Sequence, residues 1–394
     1  MARTGFCESK ALLDLDMKVD ARLLPFKAWA CGRFDCWQPL GADESRMALV
    51  QVESQHEWEK KHSQTSNNFI MGFHPDSRPS GVIVNGCEEE HALLYPHGLQ
   101  ALHSLHALVP SLLRHEVEMA LEKLGLIWDR TYAWEVFLDM MKSQTRYSFA
   151  SADFPRHFTD VTRAILVDWI IQVHEIMNFQ EETLYLAIHL LNRSLRLTKV
   201  TTANLQLLGM VCLFLAAKKE ESILPDVSGL CFLMDYTYTK HQLLRMERKV
   251  LYGLKFELSY CPPLHFLLLF ATIARCSAMV VWMARYLLEL SLLEDNCVVF
   301  PPVQLAGAAL CLARQVLQEP QTPEGEAAWC LASSIHVGSE SALLKIMQIL
   351  ASAAVKAHAK ETNATYVKFS SPETMHVSSH PGLNNVSSQP GGCT

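Results

Sequence analysis

Two charged side chains stand where charge is scarce. The stretch 205–217 is apolar apart from Gln206, and it runs straight into Lys218-Lys219-Glu220-Glu221. Further on, Glu247 closes Leu244-Arg245-Met246-Glu247 inside a second amphipathic pattern. A lysine and a glutamate held against apolar surface suit charge-assisted hydrogen bonding to a partner, and losing one member of such a set strands the other. They are poorly placed for proton transfer or bond breaking. Residue type alone leaves plain alternatives open. Lys218 also reads as a helix-end lysine facing the C-terminal dipole. Glu247 also reads as a solvated residue beside Arg248 and Lys249.

Other constellations offer less. The histidines at 91, 97, 103, 106 and 115 lack the paired spacing with a flanking acid that a metal site needs. Twelve cysteines are scattered with no Cys-x-x-Cys pair. No glycine-rich phosphate loop and no nucleophile–base pair is visible. The sequence therefore points to no catalytic residue, no metal and no cofactor. Asp168 lies on an otherwise apolar stripe, where an internal hydrogen bond or an ion pair with Arg163 or another core arginine is expected. Trp169 is expected to be partly core and partly exposed. Arg46-Met47-Ala48-Leu49 has the shape of a short degradation motif, and Ser371-Pro372 that of a minimal proline-directed phosphorylation site.

The elements that must position these residues are helices. Helical periodicity predicts segments at roughly 160–178, 182–197, 202–219, 225–234 and 239–254, and a shorter one over 132–141. Thr239 with Gln242 has capping-box spacing, and Pro225 suits a first helical turn. Leucines between Ala92 and Leu126 predict one or two helices broken at Pro110. Pro262-Pro263 ends the first run, and a second helical run begins at Leu264. Leu205-Gln206-Leu207-Leu208-Gly209 returns as Val303-Gln304-Leu305-Ala306-Gly307, so two similar helical units are expected, with close helix packing at each glycine. Strand-like alternation is nearly absent.

Composition narrows the class. A chain of 394 residues, 49% hydrophobic and 19% charged, can bury two or three cores. Its net charge of -7 argues against a nucleic-acid partner, and no apolar run reads as a membrane span. With no secretory signal and unpaired cysteines, a reduced intracellular protein of the nucleus or cytoplasm is expected.

Residues 162–258 resemble the N-terminal box of the cyclins, in wording nearest the mitotic A- and B-type members. The family opens on Met-Arg-x-Ile-Leu-[Val/Ile]-Asp-Trp-Leu. This chain keeps Arg163, Ile165, Leu166, Val167, Asp168 and Trp169, with Thr162 for the methionine and Ile170 for the leucine. Gln180 to Ala187 is similar to the start of the family's second helix. Lys218-Lys219-Glu220-Glu221 is similar to its Lys-[Phe/Tyr]-Glu-Glu, and Thr237 to Glu247 to its fifth-helix entry. Weaker similarity runs on to Tyr366-Val367-Lys368-Phe369-Ser370-Ser371-Pro372, so the resemblance spans roughly 130–378.

The resemblance implies an all-α protein with two tandem five-helix cyclin folds after a short N-terminal helix. It implies an N-terminal region over 1–125, partly disordered; a helix plus first box over 126–259; a second fold over 260–378; and a disordered tail over 379–394. It further implies a non-catalytic subunit that binds and activates a cyclin-dependent kinase as a heterodimer, without nucleic acid or membrane. Lys218 and Glu247 would be the polar centre of that contact, with Phe256, Leu258, Tyr132 and Val136 as apolar contacts. Docking would turn the kinase's αC helix inward and order its activation loop. A second surface, for substrates or inhibitors carrying Arg-x-Leu, would use Ile165, Leu166, Trp169, Gln172 and Gln206. There Thr162, Gln172 and Thr202 depart from several members, so a weakened or altered groove is expected. Lys219 in place of the aromatic, Thr162 and the unusual N-terminal region leave a second reading open, that of a cyclin-fold scaffold that activates no kinase. A cyclin-fold transcription factor would show a basic DNA-facing surface and a zinc ribbon, and the sequence shows neither.

Overall fold

A computed structural model of the chain describes residues 109–144, 158–197, 199–318, 322–335, 338–359 and 363–385. Arg46 to Leu49, the tryptophans at 29, 37 and 58, and the histidines at 91, 97, 103 and 106 lie outside the described residues. Among the described residues every regular element is helical.

The first helical unit comprises α3 (Asp160–Met177), α4 (Glu181–Leu197), α5 (Leu205–Glu220), α6 (Val227–Leu233) and α7 (Lys240–Gly253). It follows α1 (Val109–Lys123) and α2 (Ala133–Ser143). α5 is the centre. It is buried from Leu205 to Ala217, as a helix apolar on every side must be, and α3, α4 and α7 pack around it. Gly209 permits the closest approach: a Cβ there would lie 3.0 Å from Ile170 Cδ1 and 3.1 Å from Leu166 Cδ1. Thr239 and Gln242 close α7 with the expected capping box. Pro225 falls short of its expected place, because Asp226 is the cap of α6, accepting from Ser228 N–H, and the helix starts after it.

The second unit repeats the plan with α8 (Pro263–Ile273), α9 (Ala278–Leu290), α10 (Pro302–Leu317), α11 (Pro323–Ser333) and α12 (Glu340–Ala359). α10 is its central helix. Gly307 is buried on α10 and borders a cavity of about 160 Å³ with Phe270, Leu310 and Trp329. α12 corrects the expectation about apolar runs, being long and apolar enough to cross a membrane by length and composition. Here its Ile346, Leu350 and Ala354 are buried in the second core, while Lys345 and Lys356 are exposed.

α1 and α2 precede the first unit in the chain, yet their buried side chains Val117, Leu121, Phe137 and Met140 belong to the second core. Pro110 lies in the first turn of α1, a position where a proline costs no hydrogen bond, and the residues before Val109, on the other side of the expected break, lie outside the described residues. Order also continues past the expected limit at 378. The turn Val377–Ser379 and α14 (Gly382–Asn385) follow α13 (Ala364–Lys368), with Leu383 buried in the second core. Residues 386–394 lie outside the described residues.

Polar side chains stitch the units together. Arg163, on α3, donates to the Leu292 carbonyl just past α9 at 2.5 Å and to Asn192 at 3.3 Å. Burial pulls its guanidinium down to about 10, partly offset by Asp295 and its neighbours. Lys368 on α13 reaches Glu175 of α3 at 2.9 Å and Glu289 of α9 at 2.8 Å. Burial raises the Glu289 carboxyl, and Lys368 pulls it back. Burial also opposes the Glu175 charge, but the His174 hydrogen bond and Lys368 hold its carboxyl at about 2.

Candidate functional site

α5 turns charged at its last turn, and that change of character places Lys218 at the surface. Its ammonium bonds Oε1 of Glu247 and lies 4.3 Å from the centre of the Phe214 ring. Glu247 belongs to the buried stripe of α7, in step with Leu243, Val250 and Leu254. Its side chain is 9% exposed, against 38% for Lys218. The solvated alternative for Glu247 therefore does not hold. The two residues form a half-open ion pair in which the lysine keeps donors for a further acceptor. The neighbouring charges do other work. Lys219 pairs with Glu220. Glu221 accepts from the Gln180 N–H at 2.8 Å and the Thr183 hydroxyl at 2.5 Å, tying the start of α4 to the end of α5.

The apolar residues differ in what they offer. Phe256 is 61% exposed because Lys255 and Phe256 both adopt left-handed backbone, at φ 53° and 59°, where α7 ends. This left-handed turn ends the helix, with the Phe256 N–H bonded to the Leu251 carbonyl at 3.0 Å. The Phe256 ring meets Tyr252 edge-on at 5.8 Å. Leu258 is half-buried against the first core. Tyr132 is exposed at the mouth of α2, and Val136 is half-buried against the second core. The first unit thus carries Lys218, Glu247, Phe256 and Leu258, while Tyr132 and Val136 ride on a helix seated in the second. Leu244 and Tyr252 are exposed on α7 as well. Sequence reasoning did not single them out, although their spacing of two helical turns puts them on one face.

The second candidate surface is largely closed. Leu166, Trp169 and Gln206 are buried, Ile165 and Gln172 half-buried. Trp169 is only 3% exposed, less than expected. Asp168 makes the expected internal hydrogen bonds, accepting from Gln172 Nε2 at 2.8 Å and from the Ala364 N–H at 2.8 Å. Thr162 turns its hydroxyl to Thr159, the cap of α3, at 3.1 Å. Among the described residues no group of three or more His, Cys, Asp or Glu side chains is arranged to hold a metal.

Comparison with known proteins gives the frame for this geometry. Residues 135–259 match the cyclin N-terminal domain, and residues 261–383 the cyclin C-terminal domain. G2/mitotic-specific cyclin-B2 of Rana japonica is 37% identical over 227 residues, 57% of this chain and 56% of that one. The cyclin-B2 of Bos taurus is 34% identical over 230 residues, 58% of this chain and 56% of that one. The chain thus spans about half the length of the curated relatives it matches. A viral cyclin from herpesvirus saimiri superposes with a TM-score of 0.43 at 19% identity, over 50% of this chain and 86% of that one.

Proposed function

The chain belongs to the cyclin family, with two tandem cyclin folds and mitotic B2 cyclins among its relatives, and from that premise we propose that it is the regulatory subunit of a cyclin-dependent serine/threonine kinase, which it binds and activates. The chain itself does no chemistry. It supplies a rigid face against which the kinase's mobile helix is set, in the nucleus or cytoplasm.

One observation carries this reading. Lys218 and Glu247 are already paired at the edge of the first core, beside the outward Phe256. A pair oriented before binding loses little side-chain freedom on docking, and its unused donors and lone pairs suit a partner's backbone. Truncating a buried, hydrogen-bonded charge pair at an interface costs about 2–5 kcal/mol. Leu258, Tyr132 and Val136 extend the contact. An Arg-x-Leu partner would find mainly Ile165 and Gln172 accessible, so substrate docking here is weak.

The test is capture of kinases by the purified chain. Wild type should retain a cyclin-dependent kinase, and the Lys218→Ala/Glu247→Ala variant should lose it. If no kinase is retained, or the double variant retains it equally, the reading fails and the scaffold alternative takes its place.

A further inference from the structure

A cavity of about 310 Å³ lies where the two helical units meet. Side chains of α2, α3 and α4 line one part of it, and the start of α10 with the turn before it lines another. Its walls are mainly apolar and include Met140, Ile188, Phe300 and Leu305. His189 and Tyr260, stacked at 4.0 Å, add a flat aromatic side. Asp139 of α2 and Ser259 of the link into α8 are both exposed and mark its mouth. Apolar walls around a few polar groups, at this volume, suit a small organic ligand.

The polar group that faces the heaviest cost there is Arg163. It lines the cavity and is only 2% exposed. Its Nη1 donates to the Leu292 carbonyl and its Nη2 to the amide oxygen of Asn192, both neutral acceptors. Its Nε is buried and meets no acceptor among the described residues. Among the described residues it makes no salt bridge; Asp295, Glu294 and Asp160 act on it through space alone. A buried guanidinium without an anion in contact is costly, so the cavity offers a counter-charge its place. We propose that the cavity binds a small monocarboxylate, its carboxylate bonded to Nε of Arg163 and its apolar body lying against Phe300, Leu305 and the His189–Tyr260 stack. The charge count decides against a phosphate. Arg163 is the one cation among the lining side chains, since burial keeps His189 neutral. With Asp139 at the mouth and Asp295 near the guanidinium, one negative charge is balanced and a second is repelled. Because the walls come from both units, an occupant bridges them and stabilises the folded chain by mass action. Lys218 and Glu247 do not line the cavity, so the ligand neither requires nor excludes a kinase.

The test is calorimetric titration and thermal unfolding of the full chain with benzoate, phenylacetate and hexanoate, beside benzamide and inorganic phosphate. At least one carboxylate should bind saturably at a single site, with a Kd of about a millimolar or lower, and raise the unfolding temperature with concentration. Benzamide and phosphate should bind about tenfold more weakly or worse. Asn192→Asp sets a fixed carboxylate within reach of Nη2. It should raise the unfolding temperature without ligand and weaken carboxylate binding about tenfold or more. Arg163→Met should abolish binding, with circular dichroism to check its fold; if it unfolds, Asn192→Asp still decides. No saturable binding by any of the three carboxylates overturns the proposal. So does benzamide or phosphate binding as tightly as the carboxylates, or carboxylate binding that Asn192→Asp leaves unchanged.

Discussion

Lys218 is 38% exposed and Glu247 is 9% exposed, so the two halves of the pair are not equivalent. Losing the lysine leaves a buried carboxylate with no counter-charge, and losing both removes the problem. Lys218→Ala should therefore lower stability by about 1–3 kcal/mol, with water at the open side limiting the cost. Lys218→Ala/Glu247→Gln should lose less, and urea unfolding of both variants decides it. A second residue gives a pH signature. His189 on α4 stacks on Tyr260 at 4.0 Å, and burial holds its imidazole down to about 3. The unfolded chain takes up that proton near the ordinary value of 6.5, the folded chain only near 3, so stability is full above 6.5 and falls with acid between the two. In that window wild type should lose up to about 1.4 kcal/mol per pH unit more than His189→Leu. Lys218 and Glu247 were legible because charge interrupts apolar periodicity at both places. The burial of Leu166, Trp169 and Gln206 was not, since a motif names residues without saying how much of each is covered. Nor was the outward turn of Phe256, which depends on two left-handed residues that no local signal marks.

At the scale of elements, the helices of the first unit were readable within a residue or two where caps are strong. Thr239 and Gln242 start α7 as their spacing demands, and Thr239→Ala should cost about 1 kcal/mol in thermal or urea unfolding. The repeated Gln-Leu-x-Gly pattern marked the two central helices, and at Gly209 the steric need is explicit. Gly209→Val drives methyl groups toward Ile170 and Leu166 and should destabilise by about 2–3 kcal/mol. The allegiance of α2 was illegible. Its amphipathic stripe says that one face is buried, and nothing in the stripe says that it packs on α1 and joins the second core. The ordered segment beyond Lys368 was missed for a related reason. It is short and polar in sequence, and its order comes from tertiary contacts of Phe369, Val377 and Leu383 with the second core.

The two similar helical units keep separate cores, joined by polar stitches and by shared apolar residues: Tyr185 of α4 is buried in the second core, and Tyr260, Leu292 and Leu293 pack against both. Lys368 is the stitch with most at stake, because Glu289 beneath it is 2% exposed. Lys368→Met keeps the apolar stem and removes the charge, and it should cost about 3–5 kcal/mol in calorimetric unfolding by stranding Glu289. The proposed kinase contact draws on α5 and α7 of the first unit and on α2, which is seated in the second core, so such a variant should also weaken kinase capture. The central claim is that this contact switches on a kinase, and phosphoryl transfer measures it directly. Purified cyclin-dependent kinases are assayed on a peptide substrate alone, with the wild-type chain, and with Lys218→Ala/Glu247→Ala. The account predicts that the wild-type chain raises the rate of at least one kinase by about a hundredfold or more, on the scale of other charge-positioning elements in phosphoryl transfer, and that the double variant does not. Binding without any rise in rate, or an equal rise with the double variant, would contradict it.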